Sequence, residues 1–360
     1  MTVGLDNLNP LPPLADPAPA PLGAKSPGNV QSLSEVRTLA EIVRAWMRDN
    51  VMGRDDVIEL VLVALFGDGH VLLEDYPGSG KTTLANALGR SIYDDQPARD
   101  GGSLPEFRRV QFTPDLLPSD VTGVMIFDVD TNQFHFRRGP VFSYVLLVDE
   151  INRTTPKVQS ALLEAMAEKQ VTVDNASHKL DQLFFVIATQ NPLDAVGTYP
   201  LPLAQLDRFL FKIKMKHIER DAELEVLRTW GHPRDPTSLP KAARSDLLAA
   251  RKLIRQNVFV APAVQEALVD IARTLRQDKR VLQGVSTRSL VLSVPALQTL
   301  AMLRGRDFVA PEDIEHLAVP LFQHRTELVP GVEDVGIVIR DCMKKPMDTL
   351  ARSTLRGSKS

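Results

Sequence analysis

The chain has 360 residues, 44% apolar and 24% charged, which is enough to bury a sizeable core across two or three domains. A formal net charge of −3 leaves no global basic field for nucleic acid or anionic lipid. The single cysteine, Cys342, excludes an internal disulfide framework and a four-cysteine metal site. The longest apolar run, Leu60 to Phe66, falls far short of the ~20 residues of a membrane span, and no signal-like start precedes it. These features predict a cytoplasmic protein.

In chain order, the first 30 residues hold Pro10, Pro12, Pro13, Pro17, Pro19, Pro21 and Pro27, with no aromatic residue. Such a segment cannot bury enough surface to offset its ordering entropy, and reads as a disordered or polyproline-like arm. Leu33 to Asn50 carries Val36, Leu39, Ile42, Val43 and Trp46 at helical spacing, and a second helix follows near Arg54 to Phe66. Short apolar strands are expected at Val71–Leu73, Val110–Phe112, Tyr144–Val148, Leu183–Ala188 and Phe209–Ile213. Helices lie among them at Thr82–Ile92 and Pro156–Lys169. That alternation predicts an α/β fold with a parallel sheet covered on both faces. From about His217 only helical patterns remain, at Glu219–Trp230, Ser245–Gln256, Ala261–Arg276, Thr287–Arg304 and Pro311–His324. The predicted division is an arm at 1–30, an α/β core at 31–216, a helical domain at 217–343 and a basic flexible tail at 344–360. Within the helical part, His324 ends a helix, where a cation suits the dipole, and Cys342 reads as a small buried apolar residue. The seven histidines show no metal-ligand spacing.

Asp75-Tyr-Pro-Gly-Ser-Gly-Lys-Thr82 sits where a strand should turn into a helix. It matches the phosphate-binding pattern G-x-x-x-x-G-K-[ST] except at the first position, where Asp75 replaces Gly. Backbone N–H groups and a helix N-terminus can surround phosphate oxygens there. Pro77, Gly78, Ser79, Gly80, Lys81, Thr82 and Thr83 are the candidate nucleotide-binding residues, with Lys81 supplying charge and Thr82 a ligand for Mg²⁺. Val145-Leu-Leu-Val-Asp149-Glu150 is an apolar strand ending in two carboxylates. Asp149 would hold Mg²⁺ through water, and Glu150 would polarise the water that attacks the γ-phosphate. A third strand, Phe185 to Gln190, runs into Asn191, which either orients that water or simply begins an Asn-Pro turn.

Taken together, these elements resemble an AAA+ ATPase, and more closely the MoxR family, over about Val36 to Leu328. The most specific stretches are Phe112-Thr-Pro-Asp-Leu-Leu-Pro-Ser-Asp-Val-Thr-Gly123, Arg138-Gly-Pro-Val-Phe142 and Asp149-Glu-Ile-Asn-Arg153. Pro156 to Met166, Gly197-Thr-Tyr-Pro-Leu-Pro202 and Gln205-Leu-Asp-Arg-Phe209 extend them. Val196 and Leu203 stand where the family usually has Glu. The resemblance implies a P-loop NTPase sheet, a C-terminal helical lid, and a pore-lining hairpin insertion near 119–136. It also implies that Arg208 is an arginine finger reaching a neighbouring subunit's γ-phosphate, and that Arg288 is the sensor-2 arginine. Otherwise Asp207 and Arg208 would be a surface ion pair, and Arg288 a solvated first-turn residue. The implied activity is hydrolysis of ATP, with Mg²⁺, by a homo-oligomeric ring of six. Such a ring would act as a chaperone-like remodeller in complex maturation or metal-cofactor insertion, with a protein client or a von Willebrand factor A domain partner. A nucleic-acid motor and a nucleotide-gated scaffold are the alternatives. The segment Ser119–His135, with three Asp and no Lys or Arg, argues against the motor.

Overall fold

The computed structural model describes residues 30–74, 79–95, 103–191, 197–229 and 239–357. Expectations resting on the arm before Val30, on Asp75, Pro77 and Gly78, and on Val196 lie outside the described residues. Helices α1 (Leu33–Asn50) and α2 (Asp55–Phe66) precede β1 (Val71–Glu74) and α3 (Lys81–Arg90). Strands β2 (Ile92–Tyr93) and β3 (Phe107–Gln111) lead to α4 (Pro118–Thr122) and the strands β4 (Gly123–Asp128) and β5 (Gln133–Arg138). Then come β6 (Val145–Asp149), α5 (Pro156–Glu168), β7 (Gln170–Val173), β8 (Ala176–Lys179), β9 (Phe185–Gln190), α6 (Leu203–Leu206) and β10 (Phe211–Lys214). The C-terminal part holds α7 (Arg220–Thr229), β11 (Ala242–Ala243), α8 (Arg244–Asn257), α9 (Pro262–Gln277) and β12 (Val281–Gln283). It ends with α10 (Thr287–Leu303), α11 (Pro311–Phe322), β13 (Glu327–Leu328) and α12 (Val335–Gly357).

Five strands form one sheet in the order β10-β1-β9-β6-β3, all neighbours parallel. The interior strand β6, between β9 and β3, is buried along its whole length, which is why Val145 to Val148 reads as unbroken apolar sequence. One face packs on α5 through Leu146, Val148, Leu162 and Val186. The other packs on α1, α2 and α3 and is continuous with the helical part, so that Leu73, Leu62, Ile254, Leu300 and Leu317 share one core. The expected boundary near 217 thus marks a change of architecture, with no break in packing. Asp68, in the turn before β1, strengthens this joint by accepting from Lys169 Nζ and from Arg251 Nη1 of α8, each at 2.6 Å.

Local sequence explains most helix ends. Ser32 caps α1 in a capping box with Glu35, and α5, α9 and α11 each begin with proline, whose fixed φ suits the first turn. The insertion is a hairpin, with β4 and β5 paired antiparallel from Gly123↔Arg138 to Asp128↔Gln133. Gly123 closes its base at φ 106°, where an added Cβ would lie 2.5 Å from the Arg137 carbonyl oxygen.

Two expectations need correction. Residues 344–357 of the predicted tail are instead the second half of α12, because Met343, Met347 and Leu350 recur on one face and are buried against the core. Pro346 sits inside this helix without ending it. His324 is no helix-end cation: it is 3% exposed, and burial followed by the neighbouring Arg325 charge pushes its pKa well below the usual value. No helix among the described residues is long and apolar enough to cross a membrane.

Candidate functional site

The carboxyl ends of β1, β3, β6 and β9 converge, which in an open parallel sheet is where ligands bind. Gly80, at φ 90°, is the residue preceding α3, and Lys81 occupies its first position. Ser79, Gly80, Lys81, Thr82 and Thr83 line a cavity of about 250 Å³ that also receives Asp149, Glu150 and Asn191. Residues from three separate stretches of sequence are thereby brought to one place.

The parallel register Gln111↔Asp149 aligns β3 with the carboxylate end of β6. Asp149 is buried; its Oδ2 lies 2.6 Å from Arg109 Nε, and its Oδ1 accepts from Thr189 Oγ1 at 3.4 Å. Glu150 adopts a left-handed conformation, φ 56°, and its N–H donates to Thr189 Oγ1 at 2.9 Å. Its Oε2 accepts from Gln111 Nε2 at 2.8 Å and lies 3.1 Å from Arg153 Nε. Both acids are therefore held in fixed positions by side chains of β3 and β9. Nothing in the sequence marked Arg109, Gln111 or Thr189 as their partners, since register alone joins them across some 40 residues.

Donor chemistry bears on the expected metal. Among the described residues no group of three or more His, Cys, Asp or Glu side chains could hold an ion. Two carboxylates, Asp149 and Glu150, and the Thr82 hydroxyl line the same cavity, and Glu150 is engaged by Gln111 and Arg153. Mg²⁺ keeps several waters and takes one or two protein oxygens beside substrate phosphates, so this sparse oxygen set fits it and does not fit a protein-caged ion.

A second cavity, about 500 Å³, shares Ser79, Gly80 and Thr83 with the first. Val51, Met52, Met215, Ile218, Val226 and Leu227 give it an apolar wall, and Asn50, Arg54 and Glu223 add polar groups. The two cavities meet at Ser79, Gly80 and Thr83, with an apolar wall in one and the Asp149 and Glu150 carboxylates in the other.

Arg208 and Arg288 line neither cavity. Arg208 Nη1 donates to the Leu163 carbonyl of α5 at 2.8 Å, and Arg288 is exposed in the first turn of α10. Arg208 does not pair with its neighbour Asp207. Asp207 instead accepts from Arg325 Nε at 2.7 Å, from Ser289 Oγ at 2.9 Å and from Ser286 Oγ at 3.1 Å. Leu203 is half-buried in α6.

Comparison with known proteins agrees with this geometry. The ATPase family associated with various cellular activities (AAA) matches residues 70–211, and the AAA lid domain matches residues 273–339. The chain is 44% identical over 312 residues to the uncharacterized protein YeaC of Bacillus subtilis, covering 85% of this chain and 93% of that protein. It is 35% identical over 319 residues to Chaperone MoxR1 of Mycobacterium tuberculosis, covering 86% of this chain and 81% of that protein. A solved structure from Cytophaga hutchinsonii, 34% identical, superposes with a TM-score of 0.77 over 87% of this chain and 96% of that one.

Proposed function

This chain belongs to the MoxR family of AAA+ ATPases, and we propose that it binds and hydrolyses ATP in the cleft beside α3, as a ring of identical subunits that remodels a protein client. The observation that carries this reading is the convergence of Lys81, Thr82, Asp149, Glu150 and Asn191 on one cavity at the ends of parallel strands. The apolar end of the cleft suits a base, and the loop amides suit the phosphates that follow it.

In the proposed reaction Lys81 and the amides of the loop hold the β- and γ-phosphates. Thr82 and Asp149 would hold Mg²⁺, which when bound neutralises phosphate charge. Glu150, positioned by Gln111 and Thr189, takes the proton of the attacking water, and Asn191 orients that water. Arg208 lies outside its own chain's cleft, which supports its acting on a neighbouring subunit's nucleotide. Arg288 is assigned to the same transition-state charge. The β4–β5 hairpin exposes Val129 and Phe134, and packs Phe134 against Phe127 with ring centroids 5.1 Å apart and planes tilted by 58°. Between Ile126 and His135 the hairpin carries Asp128 and Asp130 and no Lys or Arg, so its apolar tip suits a polypeptide better than a nucleic-acid backbone. The resemblance extends the proposal to a von Willebrand factor A domain partner and a role in complex maturation.

Phosphate release and ADP titration test this reading directly. Glu150→Gln should lower turnover at least 100-fold while ADP affinity stays near wild type, and Lys81→Ala should weaken binding. Retention of turnover by both variants would remove the assignment. Light scattering with and without nucleotide reads the oligomer, and a monomer under every condition would remove the ring.

A further inference from the structure

Arg54 stands at the junction of α2 with the nucleotide cleft. It is 6% exposed, lines the larger cavity, and reaches the phosphate loop through Nη2, which donates to the Ser79 carbonyl at 3.5 Å. Its Nη1 donates to the Lys216 carbonyl, and its Nε is buried without an acceptor. Arginine does not shed its proton in proteins, so this is a buried positive charge.

Three arginines are buried among the described residues: Arg54, Arg251 and Arg325. Arg251 meets Asp68 at 2.6 Å and Arg325 meets Asp207 at 2.7 Å. Arg54 has only carbonyl partners. Among the described residues, no carboxylate lies within ion-pair distance of it, and the adjacent Asp55 is taken by Arg48 at 2.6 Å. The fold therefore supplies an anion to every buried guanidinium except the one that faces the cleft. A buried charge without a counter-ion is costly, and one held open toward a ligand site is the arrangement a bound anion completes.

We propose that Arg54 is a further nucleotide-binding residue, neutralised by the phosphate nearest the nucleoside. Its place decides which phosphate. Arg54 belongs to the cavity with the apolar wall and is absent from the one lined by Asp149 and Glu150, where the terminal phosphate is assigned. It also links the loop at Ser79 to Lys216, so the same contact draws the floor of the base pocket toward the phosphates. The inference rests on the nucleotide reading of this cleft. Because the phosphate nearest the nucleoside is common to ADP and ATP, Arg54 holds both, whereas Lys81 favours the triphosphate.

The test uses the full chain and measures ADP and ATP dissociation constants for wild type, Arg54→Met and Arg54→Gln at low and moderate salt. Arg54→Gln removes the charge and retains one amide donor group on a shorter side chain. Loss of a charge-assisted bond predicts about a 10- to 100-fold weakening, equal for ADP and ATP, with a shallower salt dependence. If Arg54→Met fails to fold, Arg54→Gln alone decides. An ADP affinity within twofold of wild type overturns the proposal, as does a loss that leaves the salt dependence unaltered, which would mark packing rather than charge. Failure of wild type itself to bind either nucleotide would instead overturn the proposed function.

Discussion

Replacing Asp207 with Ala should destabilise the protein through Arg325, not through the neighbouring Arg208. The Arg325 side chain is 1% exposed, and Asp207 is its only carboxylate partner among the described residues. Breaking a buried pair by removing one partner costs about 3–5 kcal/mol, because the remaining charge stays buried. Two features place this case at the low end. Arg325 keeps the carbonyls of Phe209, Leu210 and Leu321, and Asp207, at 17% exposure, leaves a path for water. Loss of the acceptor for Ser286 and Ser289 at the start of α10 adds about 1 kcal/mol. The expected total is about 3–4 kcal/mol, or a melting temperature lower by about 5 °C for a chain of this size. Urea unfolding followed by circular dichroism reads it, with Asp207→Asn expected to lose roughly half as much. Pairing Asp207→Leu with Arg325→Met should recover stability relative to Asp207→Leu alone, since no charge then remains buried. A loss below about 1 kcal/mol in Asp207→Ala would refute this account of how the core is tied to α10 and α11.

Legibility in the sequence followed how local the determinant was. The strand and helix that flank the loop before Lys81 were readable because their spacing is fixed within a dozen residues. The same holds for Val145 to Glu150, where burial on both faces demands an unbroken apolar run. The hairpin at 123–138 was expected from the resemblance and is present, whereas the β7–β8 hairpin was not anticipated, since Thr172, Ser177 and Lys179 break any apolar alternation. The end of the chain was misread because Lys344, Lys345 and Pro346 dominate the local composition. What decides there is the spacing of Met343, Met347 and Leu350 against a surface built 70 residues earlier by α9. Gln111, Thr189 and Arg54 act through partners assembled only by register and packing, so no window of sequence contained their roles.

Three further predictions follow from burial and backbone geometry. Leu350→Ala, at a position 3% exposed, should cost about 2–4 kcal/mol in urea unfolding, where a flexible tail would show no change. Gly123→Ala should loosen the β4–β5 hairpin while sparing the sheet, visible as faster amide exchange confined to residues 123–138. Mild acid should destabilise the wild type through His70. Its neutral ring is fully matched, with Nδ1 accepting from the Val186 N–H at 3.0 Å and Nε2 donating to the Met166 carbonyl at 3.2 Å. A second proton would set Nδ1–H against the Val186 N–H, and burial, with Lys169 nearby, pulls the pKa down to about 4. Because the unfolded ring titrates near 6.5, the unfolded state binds more protons between about 6.5 and 4. The stabilisation is complete above pH 6.5 and is lost as pH falls through that window, by about 3 kcal/mol in all. The pKa of His324 is lowered in the same direction, so its loss adds to this one. Unfolding midpoints at pH 7.5, 6 and 5 should fall for wild type and fall less for His70→Gln; equal slopes in the two proteins would remove His70 as the source.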